Sequence, residues 1–268
     1  MQESPLYRRV AVASTFSPRF EQVLAEAKRI CQRFGAELSL IYVGEECDDV
    51  AARFRETLTR LELPGDSPIH YQSGDPAEAI LRAIDQNQIE LIVAGALEKE
   101  VVLHPFLGNV ARRLLRDASG SVMLFTRPEL EPRPLRNIVF VAEYTDHDRD
   151  ALRRALRLAA SEKSERLYVV RVITTFDEAR AARDSGRRPE QDEEEKLEQF
   201  VLSMGHTDVP IEIRCIRGNT GFAVADFVKS VDADLLVIPA DREKNAGQLP
   251  PKLQWLADVI PCNLWLIR

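Results

Sequence analysis

The sequence predicts an α/β protein built from two tandem domains, each an open five-stranded parallel sheet with helices on both faces. Short apolar runs typical of buried strands alternate with amphipathic helical patterns, which is the order of right-handed βαβ units. The same series of patterns occurs twice, and 268 residues are enough for two domains of ordinary size.

The repeat is clearest in two segments that lie 144 residues apart. Residues 74–95 and residues 218–239 both run from a glycine through a helical pattern into an apolar strand, without a gained or lost residue. The first strands of the two halves are only 128 residues apart, so the second half has 16 extra residues before Gly218. We assign these to the charged stretch 177–198, interpreted as a solvated helix and loop; the alternative is a binding tail.

The elements of the first half follow in a regular order. A strand at 10–13 leads to a helix at 19–34, which Gly35 ends as a C-cap glycine does. Asp75 and Pro76 are typical of the N-cap and the first position of a helix. The other predicted elements are a strand at 38–43, a helix at about 50–61, strands at 69–72 and 91–94, a helix at 110–116 and a strand at 122–125.

Three prolines in residues 128–134 mark a linker between predicted domains 1–127 and 135–268. The second half repeats the order of the first. Its predicted elements are a strand at 138–142, a helix at 148–160, a strand at 167–172, a helix ending near 204, a strand at 211–216, a helix at 222–230, and strands at 235–238 and 264–267.

Composition excludes several classes of function. A net charge of −7 argues against a nucleic-acid surface, and no apolar run reaches the roughly 18–20 residues needed to span a bilayer. Four scattered cysteines are typical of reduced thiols, and no signal-peptide core is present, so we expect a cytoplasmic protein without membrane insertion. Phosphate-binding loops of the Gly-Lys type, a Gly-x-Ser-x-Gly elbow and paired histidines are missing from the sequence, which predicts no catalytic residue and no metal site.

The loop after the fourth predicted strand contains the candidate phosphate-binding residues. Gly95 permits a sharp turn at the carboxyl end of a strand, where doubly wound sheets bind ligands. Gly108 and Asn109 precede a helix whose free N–H groups suit a phosphate, with Asn109 predicted as its N-cap. Arg112 and Arg113 would add positive charge. The alternative is an ordinary helix start that binds nothing.

With these surroundings the chain resembles the universal stress protein family, as a tandem of two family domains over residues 6–127 and 135–268. The family pattern Gly-x-x-Gly, nine residues, then Gly-Ser or Gly-Thr has its four positions filled by Gly95, Glu98, Gly108 and Asn109. Residues 15–17 stand in the place of the family's Asp-Phe-Ser, and residues 74–80 resemble its Gly-x-Pro-x-x-x-Ile helix start.

The resemblance implies an adenine nucleotide alpha hydrolase-like fold and, in some members, bound ATP, with Mg²⁺ as its companion ion. The implied nucleotide-binding residues are Ala13, Ser14, Thr15, Val43, Gly95, Leu97, Glu98, Gly108, Asn109 and Val110. Two of them depart from the family. Thr15 replaces an aspartate, and Glu98 replaces a glycine and places negative charge where phosphates would lie.

The second copy has lost this loop, because residues 239–242 and 252–254 lack its glycines. It is expected instead to complete an intrachain pseudo-dimer, since family members pair their last strands across a twofold axis. The strands concerned are Val122-Met123-Leu124-Phe125 and Leu264-Trp265-Leu266-Ile267. A homodimer of the whole chain is a further alternative.

Two functions follow from the resemblance. One is a stress-response regulator that binds ATP or another adenine nucleotide in the first domain. The other is a nucleotide-free interaction or scaffold module, for example one that regulates a transporter. A non-enzymatic protein is expected, with a weak ATPase as the remaining enzymatic alternative.

Overall fold

The structure, a computed structural model, describes residues 6–14, 16–96, 108–174, 189–240, 254–256 and 260–268. The described residues form two compact units, unit 1 up to Arg133 and unit 2 from Pro134. This division falls within the stretch 128–134 that the prolines mark as a linker. No helix in the described ranges is both long and apolar enough to cross a membrane.

Unit 1 alternates strands and helices throughout. Its elements are β1 Arg9–Ser14, α1 Phe20–Phe34, β2 Glu37–Val43, α2 Asp48–Arg60, β3 Ile69–Gln72, α3 Pro76–Gln86, β4 Leu91–Gly95, α4 Asn109–Asp117 and β5 Ser121–Phe125. The five strands are parallel in the order β3-β2-β1-β4-β5. Because the order reverses between β1 and β4, a crevice for ligands is expected at the carboxyl ends of these two strands.

Unit 2 has the same topology. Its elements are β6 Asn137–Val141, α5 Asp146–Glu162, β7 Arg166–Ile173, α6 Pro189–Leu202, β8 Ile211–Arg217, α7 Thr220–Ser230, β9 Leu235–Pro239 and β10 Asn263–Ile267. The parallel order is β8-β7-β6-β9-β10. The predicted α/β class with two open parallel sheets is therefore confirmed, with helix and strand ends displaced by one or two residues.

The repeated glycines have the same backbone role in both units. Gly74 has φ of +100° and Gly218 has φ of +135°, a region that L side chains rarely adopt. The next residue caps a helix in each case. The Asp75 side chain accepts from the Glu78 N–H at 3.1 Å, and the Asn219 side chain accepts from the Gly221 N–H at 3.4 Å. The repeat thus preserves a strand-to-helix turn.

An aromatic cluster packs α1 and α2 against the end of β2. Phe54 is fully buried, and its ring centroid lies 4.4 Å from Phe16, 5.6 Å from Tyr42 and 5.7 Å from Phe20. The guanidinium of Arg53 lies over the Phe16 ring, 4.2 Å from its centroid. We define Phe16, Phe20, Tyr42 and Phe54 as the aromatic cluster of unit 1.

All four cysteines are free thiols, and two of them offer a direct test of burial in unit 1. Cys31 lies in the core, where burial raises its pKa to about 12, whereas Cys47 is exposed. We expect iodoacetamide at pH 8 to alkylate Cys47 in the native protein and to leave Cys31 unmodified, as measured by peptide mass spectrometry. Equal labelling of the two before unfolding would contradict the packing of α1.

Candidate functional site

A cavity of about 420 Å³ lies at the carboxyl ends of β1 and β4, where the strand order of unit 1 reverses. Four residues predicted from the sequence line it. Ala13 comes from β1, Gly95 ends β4, and Gly108 and Val110 come from the start of α4. Residues far apart in the chain therefore converge on one concave site.

The other six predicted residues have different places. Val43 ends β2, one strand away from the reversal, where it pairs with Gln72 of β3. Ser14 is the last residue of β1, and Asn109 is the exposed first residue of α4. Thr15, Leu97 and Glu98 lie outside the described residues.

The start of α4 differs from the prediction in one respect. Gly108, with φ −62° and ψ 158°, is the N-cap, and Asn109 is already helical, so Asn109 is not the cap. The reason is that the helix begins one residue earlier: the Arg112 N–H donates to the Gly108 carbonyl at 3.0 Å. The N–H groups of residues 109–111 consequently have no acceptor within the helix and are available to an anion.

Backbone hydrogen bonds fix both ends of the loop that joins β4 to α4. The Gly108 N–H donates to the Ala96 carbonyl at 3.4 Å, and the Ala96 N–H donates to the Phe125 carbonyl of β5 at 2.9 Å. The start of α4 is therefore held at the carboxyl end of β4, beside Gly95. This connection gives the cavity a fixed wall.

Arg113 does not add charge to the cavity as the sequence suggested. Its guanidinium pairs with the start of α3, with Nη1 2.6 Å from Asp75 Oδ1 and Nη2 3.3 Å from Glu78 Oε1. Two carboxylates thus neutralise the side chain and tie α4 to α3. The prediction was wrong because spacing along the chain does not reveal which helix packs beside α4.

Asp75 makes two contacts, the ion pair with Arg113 and the helix cap to the Glu78 N–H, so its substitution should have a measurable effect on stability. We expect Asp75→Ala to lower the free energy of unfolding by about 1 kcal/mol, chiefly through loss of the helix cap. Asp75→Asn is the matched control, because asparagine caps equally well and the ion pair is partly exposed. Urea unfolding of both variants checks this, and an equal loss in both would show that the ion pair matters more than the cap.

The remaining walls of the cavity were not predicted as site residues. They are apolar side chains from α1, α3, α4 and β5, together with a polar rim, and include Phe20, Val23, Ile80, Leu114, Phe125, Ser17 and Arg19. The helical pattern indicates that such apolar residues face the sheet, but it does not show where they leave a void. A Cβ at Gly95 would lie 3.3 Å from Val23 Cγ2, so glycine keeps the cavity open at this point.

The universal stress protein family model matches residues 58–126 and 134–268, which together make up most of the chain. The chain belongs to the universal stress protein family. A protein of unknown function from Pseudomonas aeruginosa PAO1 has a similar structure, with 15% identity, a TM-score of 0.74, and coverage of 97% of this chain and 92% of that chain. A universal stress protein from Archaeoglobus fulgidus DSM 4304 has 14% identity, a TM-score of 0.64 and coverage of 98% of both chains. No curated protein matches the sequence.

In unit 2 of this universal stress protein, side chains cover the carboxyl end of the first strand, β6. Arg171 occupies in β7 the position that Tyr42 has in β2, and it donates to the Ala142 carbonyl at 3.4 Å. Its guanidinium also pairs with Glu193 of α6 at 3.4 Å and lies 5.3 Å from the Tyr144 ring centroid. Burial, with Glu193 nearby, raises the pKa of Tyr144. Residues 241–253, where the lost glycine loop was predicted, are outside the described ranges.

Proposed function

We propose that this universal stress protein is a non-enzymatic regulator that binds an adenine nucleotide in the cavity of unit 1. The observation that carries this proposal is that residues far apart in the chain line one cavity. Ala13, Gly95, Gly108 and Val110 were selected from the family pattern, and all four line one cavity at the strand reversal. Within the family, we place this chain with nucleotide-binding stress-response proteins of the cytoplasm.

The cavity offers complementary surfaces for the two parts of a nucleotide. Its apolar walls, which include Val23, Ile80 and Leu114, suit a planar base. The start of α4 supplies N–H groups and the positive end of a helix dipole for a phosphate. A volume of about 420 Å³ is within the range of small-molecule sites.

One observation favours the second candidate, a nucleotide-free interaction or scaffold module, for example one that regulates a transporter. Arg113, a cation in the first turns of α4, is already paired with Asp75 and Glu78. Because two carboxylates already pair with Arg113, its charge attracts a polyanion at the start of α4 less strongly. Binding measurements therefore decide between the two functions.

The test is isothermal titration calorimetry of the full chain, at tens of micromolar, with ATP, ADP and AMP, each with and without Mg²⁺. We expect saturable binding of at least one nucleotide at one site per chain, since the sequence of the second copy lacks the loop glycines. Absence of heat with all of them would overturn the proposal and favour the interaction module. A parallel phosphate-release assay is expected to show no turnover; sustained release would instead support the weak ATPase.

A further inference from the structure

Arg19 stands out among the side chains that line the cavity of unit 1. It is the N-cap residue of α1, and it makes no side-chain hydrogen bond to that helix. Within the described part of the chain, it is the one charged side chain of the cavity lining. Neither an ion pair nor a side-chain hydrogen bond joins it to another described residue. Ser17, two residues earlier, also lines the cavity and offers a hydroxyl group.

Neighbouring cations differ from Arg19 because each has a partner. Arg113 is paired with two carboxylates of α3, and Arg53 covers the Phe16 ring at 4.2 Å. An arginine side chain has a planar fork of N–H donors, which matches the oxygens of a phosphate. A guanidinium that has no partner among the described residues and lies beside an apolar cavity is therefore suited to the anionic group of a ligand.

We infer that Arg19 binds the phosphate of the ligand, and that the site takes a nucleoside monophosphate in preference to a magnesium-bound triphosphate. This inference rests on the proposed function. A phosphate monoester carries about −1.5 to −2 charge at pH 7. One guanidinium carries one positive charge, and a helix N-terminus is equivalent to about +0.5 charge. Together they nearly balance the charge of one phosphate monoester.

A triphosphate would need more positive charge than these groups supply. Neither carboxylates nor a cluster of His, Cys, Asp and Glu that could hold a metal ion occur at the cavity within the described residues. The charge of the described lining thus fits one phosphate. The apolar walls accept the base, and Arg19 and the start of α4 accept the phosphate.

The experiment compares AMP with adenosine, which has the same base and sugar but no phosphate. We expect Arg19→Gln to weaken AMP binding by about tenfold or more and to leave adenosine binding unchanged, because the lost contact is a charge-assisted hydrogen bond. Lys28→Gln is the matched control. It removes the same charge from the same helix, and Lys28 pairs with Glu62 away from the cavity.

Each outcome has a separate meaning. Wild-type protein that binds ATP with Mg²⁺ more tightly than AMP would overturn the inference and leave the proposed function intact. Equal weakening of AMP and adenosine by Arg19→Gln would assign Arg19 a structural role and also overturn it. Failure of the wild-type protein to bind any adenine nucleotide would overturn the proposed function itself. The Lys28→Gln variant is expected to bind both compounds as the wild type does.

Discussion

Replacing Phe54 with alanine is expected to lower the free energy of unfolding by about 3–5 kcal/mol. Phe54 is fully buried and is the member of the aromatic cluster that contacts all of the others, with ring centroids at 4.4–5.7 Å. Its removal takes away buried apolar surface and leaves a cavity between α1 and α2. Neighbouring rings can relax into this space only in part, because Tyr42 is held in β2 and Phe20 in α1.

Phe222→Ala is the matched control for this prediction. The same chemical change is made on α7 at a side chain that is 73% exposed, so we expect a change within about 0.5 kcal/mol. Urea unfolding followed by circular dichroism reports both units, and fluorescence of Trp255 and Trp265 reports unit 2. Similar losses in the two variants would contradict the packing described for unit 1.

Gly95→Leu is expected to weaken nucleotide binding by at least a hundredfold, which corresponds to about 2.7 kcal/mol. Gly95 lines the cavity, and even its added Cβ would lie 3.3 Å from Val23 Cγ2. A leucine side chain at this point has to occupy the space that the nucleotide needs. Titration calorimetry with the nucleotide that the wild-type protein binds best measures the loss.

Gly95→Ala is the control that shows whether Gly95→Leu weakens binding by filling the cavity or by disturbing the fold of unit 1. Its single methyl group requires Val23 to move by a few tenths of an ångström, so we expect a much smaller loss of affinity than with leucine. Thermal unfolding of both variants checks that unit 1 remains folded. Wild-type affinity in a folded Gly95→Leu protein would show that the nucleotide binds elsewhere.

Features encoded by short stretches of sequence were predicted well. Gly35 ends α1 with φ of 66°, and its N–H donates to the Cys31 carbonyl, as a C-cap glycine does. Asp75 caps α3 as predicted, with Pro76 in the first helical turn. These signals are local because the cap and the groups that it satisfies lie within a few residues. The repeat then extends them to unit 2.

Features that depend on neighbouring elements were not predictable in this way. Arg113 pairs with Asp75 and Glu78 because α3 and α4 lie side by side, and chain spacing does not carry that information. The apolar walls of the cavity have the same periodicity as any buried helix face. Arg19 has no sequence signal at all beyond its place before α1, and its importance comes from the cavity that it lines.

The two units differ at the carboxyl end of their first strands, β1 and β6. In unit 1 the strand reversal borders a cavity, and Tyr42 belongs to the aromatic cluster beside it. In unit 2 the equivalent Arg171 pairs with Glu193 of α6, and the hydroxyl of Tyr144 donates to the Glu193 carbonyl at 3.3 Å. These contacts cover the end of β6.

Methyl NMR of the 30.3 kDa chain tests the proposed site most directly. We predict that the adenine nucleotide bound most tightly in calorimetry shifts the methyl resonances of four cavity residues, which are Val23, Ile80, Val110 and Leu114. Core methyl groups of unit 2, such as those of Leu197 and Val224, should remain unchanged. Shifts confined to unit 2, or none in the four cavity residues at saturating nucleotide, would contradict binding in the cavity of unit 1.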